Sequence, residues 1–442
     1  TPFLNYTKPQ SISCPCLSFL SLILQSVPIH FLHVLYYCRE YFVRYGARTH
    51  AREFFAALQK HERVSAAKVI GGAQEDAGFN DKDQFGRQKP QSRLFSALDR
   101  YKRVVRYLIP KKVLTDLLIE AARDFQCDVI IARLGGIHNP DYRRVRKALP
   151  NVSLCFEINA AHFDEAYSQF WLRNTLQRLE VRNFEVADSV TVVSTYLRDY
   201  LVERGMAKAK ILVNHNGVDA DLFRPKELDP ESRPILQKIP DNAFVLGYVG
   251  GMEAFRRLPL LIRQVAELRQ SGYEDLFLLI VGSGRDEAVI DQAIAEQGTA
   301  LQDSVLRTGW ISHHIVPSLL TRVNVALFPY TNPYCSPLKL FEYLGAGLAC
   351  IGPDTPAVRE VFTHNVHLLL AAQDGSNFKQ HVIDLHADPG RARAIATRGQ
   401  ELVLSKYTWR ENVNRVLSHI EQIASLQHPR DFGSKKHESG AT

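Results

Sequence analysis

The sequence predicts an α/β protein built from two doubly wound domains, each with a parallel sheet between helices. From residue 30 onward, short β-branched and apolar runs alternate with amphipathic helical stretches, which is the pattern of parallel α/β sheets. A polar, proline-containing stretch between residues 220 and 240 interrupts this alternation, which then starts again. The length of 442 residues also exceeds that of one ordinary domain.

The first half of the chain is predicted to hold six strands separated by helices. The predicted strands are residues 31–36, 64–70, 129–132, 152–156, 189–193 and 211–213. The predicted helices include residues 49–60, 111–125 and 163–187, where apolar positions recur with helical spacing. These elements predict a first domain over residues 28–214.

Six further strands are predicted after the proline-containing stretch. They are residues 244–249, 277–281, 305–308, 324–328, 349–351 and 367–370. A second domain of similar size, residues 215–424, follows from that count. The polar tail at residues 425–442 lacks the apolar residues of a core and is predicted to be disordered.

Residues 1–27 form an extension that is predicted to lie outside the fold. The apolar run at residues 14–27 ends at Pro28 and is too short to span a bilayer alone. No charged n-region precedes it and no A-x-A-like cleavage site follows it, which disfavours a signal peptide. We expect a truncated or over-extended gene model, with the working protein starting near Val27.

The composition is that of a globular protein with a mildly basic balance. Hydrophobic residues make up 45% of the chain and the formal net charge is +7, which suits anionic substrates or membrane surfaces. Nucleic acid binding is not predicted, because no concentrated basic stripe with aromatic platforms occurs. The seven cysteines are scattered without a CxxC pair, which predicts a reducing, cytoplasmic compartment and no structural zinc.

Residues 336–347 carry the most informative local pattern. Ser336 is predicted as the N-cap of a helix that follows a strand, with Pro337 at the first helical position. Free backbone N–H groups and the positive dipole end at such a helix start suit an anionic ligand. Lys339 and Glu342 share one helix face, so they are predicted to face a cleft while the opposite stripe packs on the sheet. A solvated Lys–Glu pair on an ordinary helix is the alternative interpretation.

Turns made of small residues follow three strands of the second series. Because the carboxyl ends of parallel strands meet at one sheet edge, these turns and the helix at 336–347 are predicted to lie together. Glycine permits close approach of the backbone to a ligand, so the sequence predicts a nucleotide site at this edge. Taken singly, each glycine has an ordinary turn as its alternative. In strand order the residues are Gly250 and Gly251, Gly282 and Gly284, and Gly309 followed by Trp310.

Several of these segments resemble glycosyltransferase family 4, whose members are retaining enzymes with the two-domain GT-B fold. The resemblance covers residues 30–423 and is most specific in the second half. In the first half, residues 187–194 are similar to the strand after the family's long helix. The matching segments of the second half are NGVD at 216–219, FRP at 223–225, GYVG at 247–250, RR at 256–257, LIVGSG at 279–284, TGWI at 308–311, FPY at 328–330, SPLKLFEYLGAG at 336–347 and YTW at 407–409.

The resemblance implies two Rossmann-like domains that face each other across a cleft. The second domain would hold a nucleoside diphosphate sugar and the first domain would hold the acceptor. The implied reaction is transfer of the sugar, as by a hexosyltransferase, to an acceptor that we expect to be a cell-envelope, polysaccharide or lipid-linked glycan.

The resemblance also implies roles for individual residues. Glu342 matches the glutamate that takes the ribose hydroxyls, a task that suits the paired acceptors of a carboxylate. Arg257 matches a basic position that binds the diphosphate, and Lys339 is placed to help stabilise that leaving group as its charge develops. Asn159 is loosely matched to a first-domain position near the sugar. The other predicted substrate contacts are Gly250, Gly251, Gly282, Gly284, Trp310, Ser336, Pro337 and Leu338.

Three positions depart from the family pattern and leave the donor sugar open. Tyr334 stands where members often carry a first glutamate, Gly251 where arginine is frequent, and Asn159 where histidine is common. Two alternatives therefore stay open: a nucleotide-sugar epimerase of GT-B fold, and a catalytically silent subunit that binds a sugar nucleotide.

No metal or other cofactor is expected. No Asp-x-Asp pair stands at the end of a predicted strand of the second domain. Arginine, lysine and the helix dipole can supply the positive charge that a metal would otherwise provide.

A basic amphipathic segment starts at Ser92 and ends at Lys112. Such a segment can lie on an anionic membrane surface or face a lipid phosphate. A core-packing helix with a solvated basic face is the alternative. The resulting hypothesis is a cytoplasmic protein with a peripheral contact at the inner membrane face.

Overall fold

The structure, a computed structural model, describes residues 32–42, 47–71, 110–134, 139–160, 173–224, 227–298, 301 and 303–427. Within these residues, twelve strands form two six-stranded sheets, and all of their ladders are parallel. The extension at residues 1–27 lies outside the described residues, as does the segment 92–112 apart from its last three residues.

The first sheet has the strand order β2-β1-β3-β4-β5-β6. Its strands are β1 Leu32–Tyr37, β2 Val64–Ile70, β3 Val129–Leu134, β4 Ser153–Ile158, β5 Ser189–Val192 and β6 Ile211–Val213. The helices of this part are α1 Ala47–Gln59, α2 Lys112–Asp124, α3 Tyr142–Ala148, α4 Arg173–Phe184 and α5 Thr195–Val202.

The second sheet has the strand order β12-β11-β10-β7-β8-β9. Its strands are β7 Phe244–Val249, β8 Leu276–Val281, β9 Val305–Gly309, β10 Val325–Leu327, β11 Ala349–Pro353 and β12 Leu369–Ala371. The helices of this part are α6 Arg233–Leu236, α7 Leu258–Gln270, α8 Glu287–Ala295, α9 Val316–Leu320, α10 Leu338–Gly345, α11 Pro356–Arg359, α12 Phe378–Ala387, α13 Pro389–Lys406 and α14 Trp409–Gln427.

The predicted α/β class and its parallel strands are confirmed. Every strand predicted from the sequence occurs, with ends that differ by at most two residues. Short apolar runs made these strands recognisable, because a parallel strand covered on both faces has no polar side. All residues of β8, for example, are buried.

The order of strands in each sheet creates a crevice at one edge. In the second sheet the chain leaves β7 in one direction to β8 and β9, and in the other direction to β10, β11 and β12. The carboxyl ends of β7 and β10 therefore flank a topological switch point, where ligands collect in open α/β sheets. The loops that follow these two strands contain Gly250 and the start of α10.

The last helix returns to the first sheet. Trp409, Val413 and Leu417 of α14 belong to the same buried cluster as Val34 of β1 and Phe54 of α1. The predicted domain boundary at residue 424 assigned this helix to the second domain, whereas its apolar stripe packs on the first. A helical stripe predicts that a face is buried, but the periodicity says nothing about which sheet covers it.

The chain crosses between the domains at two neighbouring places. Val218 donates its backbone N–H to Tyr407 over 2.9 Å, and Trp409 donates back to Val218 over 3.3 Å. A Cβ on Gly217 would lie 2.9 Å from the backbone carbonyl carbon of Thr408. Glycine at 217 thus lets the two crossings lie against each other.

Candidate functional site

Helix α10 begins at the crevice of the second sheet. Its inward residues Leu340, Phe341 and Leu344 are fully buried, as the predicted stripe requires. The predicted cap is wrong by one residue, because the helix begins at Leu338 and Pro337 stands at the cap position without a side-chain capping bond.

Ser336 contacts the domain junction instead of capping α10. Its hydroxyl lies 3.5 Å from the backbone N–H of Asn216, and its carbonyl accepts a 2.5 Å hydrogen bond from the Asn216 side chain. Leu338 packs on the cluster that α14 forms with the first sheet. The start of α10 is therefore held against the first domain.

Glu342 forms the centre of a buried ionic cluster on α10. Its side chain is 2% exposed, and its Oε2 lies 2.6 Å from the ammonium of Lys339. Its Oε1 lies 2.9 Å from Nε2 of His313, a residue of the turn after β9. Burial alone would raise the pKa of Glu342, but the charges of Lys339 and His313 lower it to about 2. The predicted Lys–Glu pair exists, and it has a third member.

His313 is not predicted as a site residue from the sequence, although it closely follows the TGWI segment. The His313 imidazole also approaches the first domain, since Nδ1 lies 3.6 Å from Oε1 of Glu53 on α1. Burial raises the pKa of the Glu53 carboxyl, and His313 partly opposes this shift. No spacing in the sequence links these two residues, which stand 260 positions apart.

The glycine turns after β7 and β8 pack against each other. A Cβ on Gly282, whose φ is +129°, would overlap the carbonyl oxygen of Gly250. A Cβ on Gly284 would lie 2.5 Å from the backbone nitrogen of Met252. These contacts explain both glycines of the β8 turn by loop packing before any ligand is considered. A Cβ on Gly251 would meet only the flexible carboxylate end of Glu253, so packing does not require this glycine.

The two neighbouring arginines after β7 have different environments. Arg256 is packed 4.4 Å above the ring of Phe328 and donates to the hydroxyl of Thr331 over 2.9 Å. Its buried Nε has no hydrogen-bond partner among the described residues. Arg257 is exposed, has a left-handed backbone with φ of 51°, and donates to the carbonyl of Gln373.

Trp310 lies beside this site with its side chain largely in solvent. Its exposed fraction is 57%, which is unusual for so large an apolar side chain. The preceding Gly309 has φ of +70°, a conformation that favours glycine. The predicted substrate contact of Trp310 is compatible with that exposure and stays a prediction.

A buried polar cluster occupies the carboxyl ends of the strands of the first sheet. Its centre is Glu157 at the end of β4, which accepts from the guanidinium of Arg133 on β3 and, over 3.0 Å, from the hydroxyl of Tyr36 on β1. His50 of α1 lies 2.5 Å from the same carboxylate. Although burial acts against it, Arg133 and His50 hold the pKa of Glu157 well below its usual range.

Asn159 is oriented by this cluster. Its side-chain nitrogen donates to Glu157 over 2.8 Å, so its Oδ1 points the other way. That oxygen is buried and accepts no hydrogen bond from any residue that the structure describes. Asn159 therefore offers an acceptor at this end of the first sheet.

Asn216 connects the polar cluster with the start of α10. The Asn216 Oδ1 lies 2.7 Å from Nδ1 of His50, and its amide nitrogen donates to the carbonyl of Ser336. A continuous chain of hydrogen bonds thus runs from Asn159 through Glu157 to α10. This network links Asn159 of the first domain to Ser336 of the second domain.

Tyr334, at the position where family members often carry a glutamate, packs against the first domain. Its side chain is 5% exposed and packs in the core of the first domain, 6.2 Å from the ring of Tyr196. Its carbonyl accepts from the hydroxyl of Ser194 over 2.9 Å. This position is therefore used to join the domains.

Neither a metal cluster nor a membrane-spanning helix occurs in the described ranges. They contain no group of three or more His, Cys, Asp or Glu side chains that could hold a metal ion, and the metal-free expectation stays a prediction. No helix in the described part of the chain is long and apolar enough to cross a bilayer.

Both halves of the chain match known families. Residues 44–222 match the family described as Glycosyltransferase Family 4, and residues 243–388 match the family described as Glycosyl transferases group 1. These two stretches contain the first-domain polar cluster apart from Tyr36, and the cluster around Glu342.

Two curated relatives match about half of the chain. TuaH of Bacillus subtilis (strain 168), which is named for a role as a teichuronic acid biosynthesis glycosyltransferase, is 28% identical over 194 residues, which are 43% of this chain and 46% of that relative. The 2-deoxystreptamine glucosyltransferase of Streptomyces kanamyceticus is 25% identical over 232 residues, which are 50% of this chain and 57% of that relative. The chain thus spans about half the length of the curated relatives it matches.

Solved structures match over most of the chain. HepE from Anabaena, in its complex with UDP-glucose, superposes with a TM-score of 0.62 at 17% identity, over 90% of this chain and 99% of that one. Sucrose-phosphate synthase from Thermosynechococcus elongatus gives a TM-score of 0.64 at 18% identity, over 90% and 100% of the two chains. At this identity the likeness concerns the fold.

Proposed function

We propose that this chain, which belongs to the glycosyltransferases through its family 4 and group 1 domains, transfers a sugar from a nucleoside diphosphate sugar to a glycan acceptor. The fold is GT-B, as predicted. The observation that carries the proposal is the ionic cluster of Glu342, Lys339 and His313 at the switch point of the second sheet. The acceptor oxygen of Asn159 lies in the cleft on the side of the first domain.

The donor would bind through its nucleotide to the second domain. Glu342 would take the ribose hydroxyls, because a carboxylate oxygen that already accepts one hydrogen bond can accept another. Lys339, the free N–H groups at the start of α10, Arg256 and Arg257 would face the diphosphate. Trp310 and the backbone beside it would contact the base.

We propose a retaining reaction that proceeds without a metal ion. The bond between the sugar C1 and the diphosphate oxygen breaks, and a bond from C1 to the acceptor oxygen forms on the same face. The proton of the acceptor hydroxyl can then pass to the departing phosphate oxygen. Lys339 and the arginines stabilise the diphosphate most strongly as its charge grows, so they lower the barrier more than they strengthen ground-state binding.

The proposed acceptor is a cell-envelope, polysaccharide or lipid-linked glycan on the cytoplasmic side. Support comes from the teichuronic acid assignment of the Bacillus relative and from the basic segment at residues 92–112. A peripheral contact with the inner membrane face is part of this proposal, and that segment lies almost entirely outside the described residues.

A panel of UDP- and GDP-sugars tests the proposal in the full chain. We expect one donor to raise the thermal unfolding midpoint, because a ligand at 100 times its Kd stabilises by about 2.7 kcal/mol. Glu342→Ala should abolish that stabilisation. Glu267→Ala is the matched control. The Glu267 carboxylate forms an exposed ion pair with the Lys379 ammonium over 2.7 Å, and this pair lies away from the crevice.

The same panel separates the alternatives. Slow release of free sugar in the presence of EDTA supports a metal-independent transferase, whereas conversion of the donor to an epimer without any acceptor would identify an epimerase. Stabilisation without turnover would favour the silent subunit, which the burial of Tyr334 makes worth testing. If no nucleoside diphosphate stabilises the protein, the proposed function is wrong.

A further inference from the structure

The imidazole of His313 joins three elements from two domains. It follows β9, its Nε2 lies 2.9 Å from Oε1 of Glu342 on α10, and its Nδ1 lies 3.6 Å from Oε1 of Glu53 on α1. The ring of Phe223 packs against it with the centroids 5.6 Å apart. His313 is therefore held in place by contacts from several directions.

Glu342 depends on this imidazole for its orientation. The carboxylate is almost completely buried, with one oxygen bonded to Lys339 and the other to His313. Each carboxylate oxygen has about two acceptor sites, so each keeps one for a ligand. Two fixed donors set the plane of the carboxylate and thereby aim its remaining acceptor sites.

Glu53 approaches the same ring from the first domain. Its side chain is 18% exposed. Besides His313, the charged groups that act on Glu53 are Asp219 at the domain junction, Glu342 on α10 and Lys60 beyond the end of α1. Because Glu53 and Glu342 lie on different domains, His313 can contact both only when the cleft has its present width.

We propose that His313 is a positioning residue that aims the Glu342 carboxylate at the ribose of the donor, and that Glu53 of the first domain holds His313 in that orientation. This inference rests on the proposed function, since it takes Glu342 as the ribose ligand. The ribose is then held most firmly when Glu53 of the first domain contacts His313, so nucleotide recognition is coupled to the arrangement of the two domains.

The test compares UDP with 2′,3′-dideoxy-UDP by calorimetry on the full chain. We expect the wild type to bind UDP at least about tenfold more tightly, because hydrogen bonds to a charged group are strong. His313→Ala should reduce this ratio to below about threefold while the affinity for dideoxy-UDP changes little. His313→Gln should restore part of the ratio, because the amide can still donate to Glu342.

His314→Ala is the matched control. His314 is the next residue, has an exposed side chain, and lies 3.7 Å from Asp229, away from Glu342. This variant should keep the full ratio. A His313→Ala variant that weakens both nucleotides equally, or neither, would overturn the positioning role.

The link to Glu53 is tested by a double-mutant cycle. If Glu53 acts through His313, the Glu53→Gln and His313→Ala double variant should discriminate no worse than His313→Ala alone. Additive losses would overturn that part of the inference.

Failure of this inference and failure of the proposed function give different results. If Glu342→Gln removes the discrimination but His313→Ala does not, only the positioning role is wrong. If Glu342→Gln leaves the ratio unchanged, or if neither UDP nor GDP binds, the ribose assignment is wrong and the inference is overturned with it.

Discussion

At the scale of single residues, Arg256 and Arg257 are adjacent and carry the same charge, but their surroundings differ. Arg256 packs against the ring of Phe328, and its buried Nε has no hydrogen-bond partner among the residues that the structure describes, although it lies 3.9 Å from the carboxylate of Glu253. Arg257 occupies a left-handed backbone position that favours glycine, and its guanidinium already donates to Gln373. From these surroundings we predict that Arg256 contributes more to diphosphate binding than Arg257, the residue that the family resemblance implies.

We expect Arg256→Ala to weaken UDP binding by tenfold or more, or about 1.4 kcal/mol. Arg257→Ala should weaken it by less than about threefold, because an exposed charge is screened by solvent. Calorimetric titration of both variants under the same salt conditions provides the comparison. The reverse order of the two effects would restore Arg257 as the principal ligand.

The members of the site could be predicted where they belong to one local motif, but not where they come from distant parts of the chain. Lys339 and Glu342 stand three residues apart, so helical geometry alone pairs them. His313 and Glu53 join the same cluster from distant segments, and no local rule brings them there. The capping role assigned to Ser336 failed for the same reason, because Asn216 of the domain junction binds that serine.

At the scale of elements, the turns after β7 and β8 form one packed unit. The carbonyl of Gly250 occupies the space that a side chain at position 282 would need. The sequence predicts that these glycines let the backbone approach a ligand closely. The close approach of the two loops to each other already requires glycine at position 282. The shape of the sheet edge thus depends on this contact.

Gly282→Ala tests that packing. A left-handed φ costs an alanine about 1–3 kcal/mol, and the clash with Gly250 adds roughly 1–3 kcal/mol more. Gly272→Ala is the matched control in the same domain, since Gly272 has φ of +105° and a Cβ there would meet no described atom within 4 Å. Thermal unfolding should show the larger loss for Gly282→Ala, and equal losses would contradict the proposed packing.

The apolar stripe of helix α14 does not determine which of the two sheets the helix packs on. Such a stripe shows that one face of the helix is buried without showing which sheet covers it. Its partner is the first sheet, because the chain crosses back beside Val218 just before the helix begins.

At the scale of the whole molecule, side-chain contacts hold the two domains around the cleft. Glu360, just after α11, accepts from the backbone N–H of Thr195 at 2.9 Å and also from the Thr195 hydroxyl. The carboxylate therefore stands at the start of α5, where the helix dipole favours negative charge. His215 of the domain junction lies 3.6 Å from the same carboxylate.

We expect Glu360→Ala to widen the cleft. Hydrogen bonds to a charged group contribute about 1.5–3 kcal/mol, which corresponds to a shift of roughly tenfold or more between closed and open arrangements. Small-angle X-ray scattering of the unliganded chain should give a larger radius of gyration than the wild type, and Glu267→Ala should not. An unchanged radius would show that α14 and the junction hold the domains without this contact.

The sequence by itself determined the strands, the α/β class, the two sheets and the family, because short apolar runs and local motifs express these features within a few residues. Only the tertiary structure decided that His313 contacts both Glu342 and Glu53, that Arg256 is more buried than Arg257, and that α14 covers the first sheet. Each of these depends on which distant surfaces come together when the chain folds. Periodicity and motif spacing report a residue's own element, whereas the cleft is made of contacts between elements.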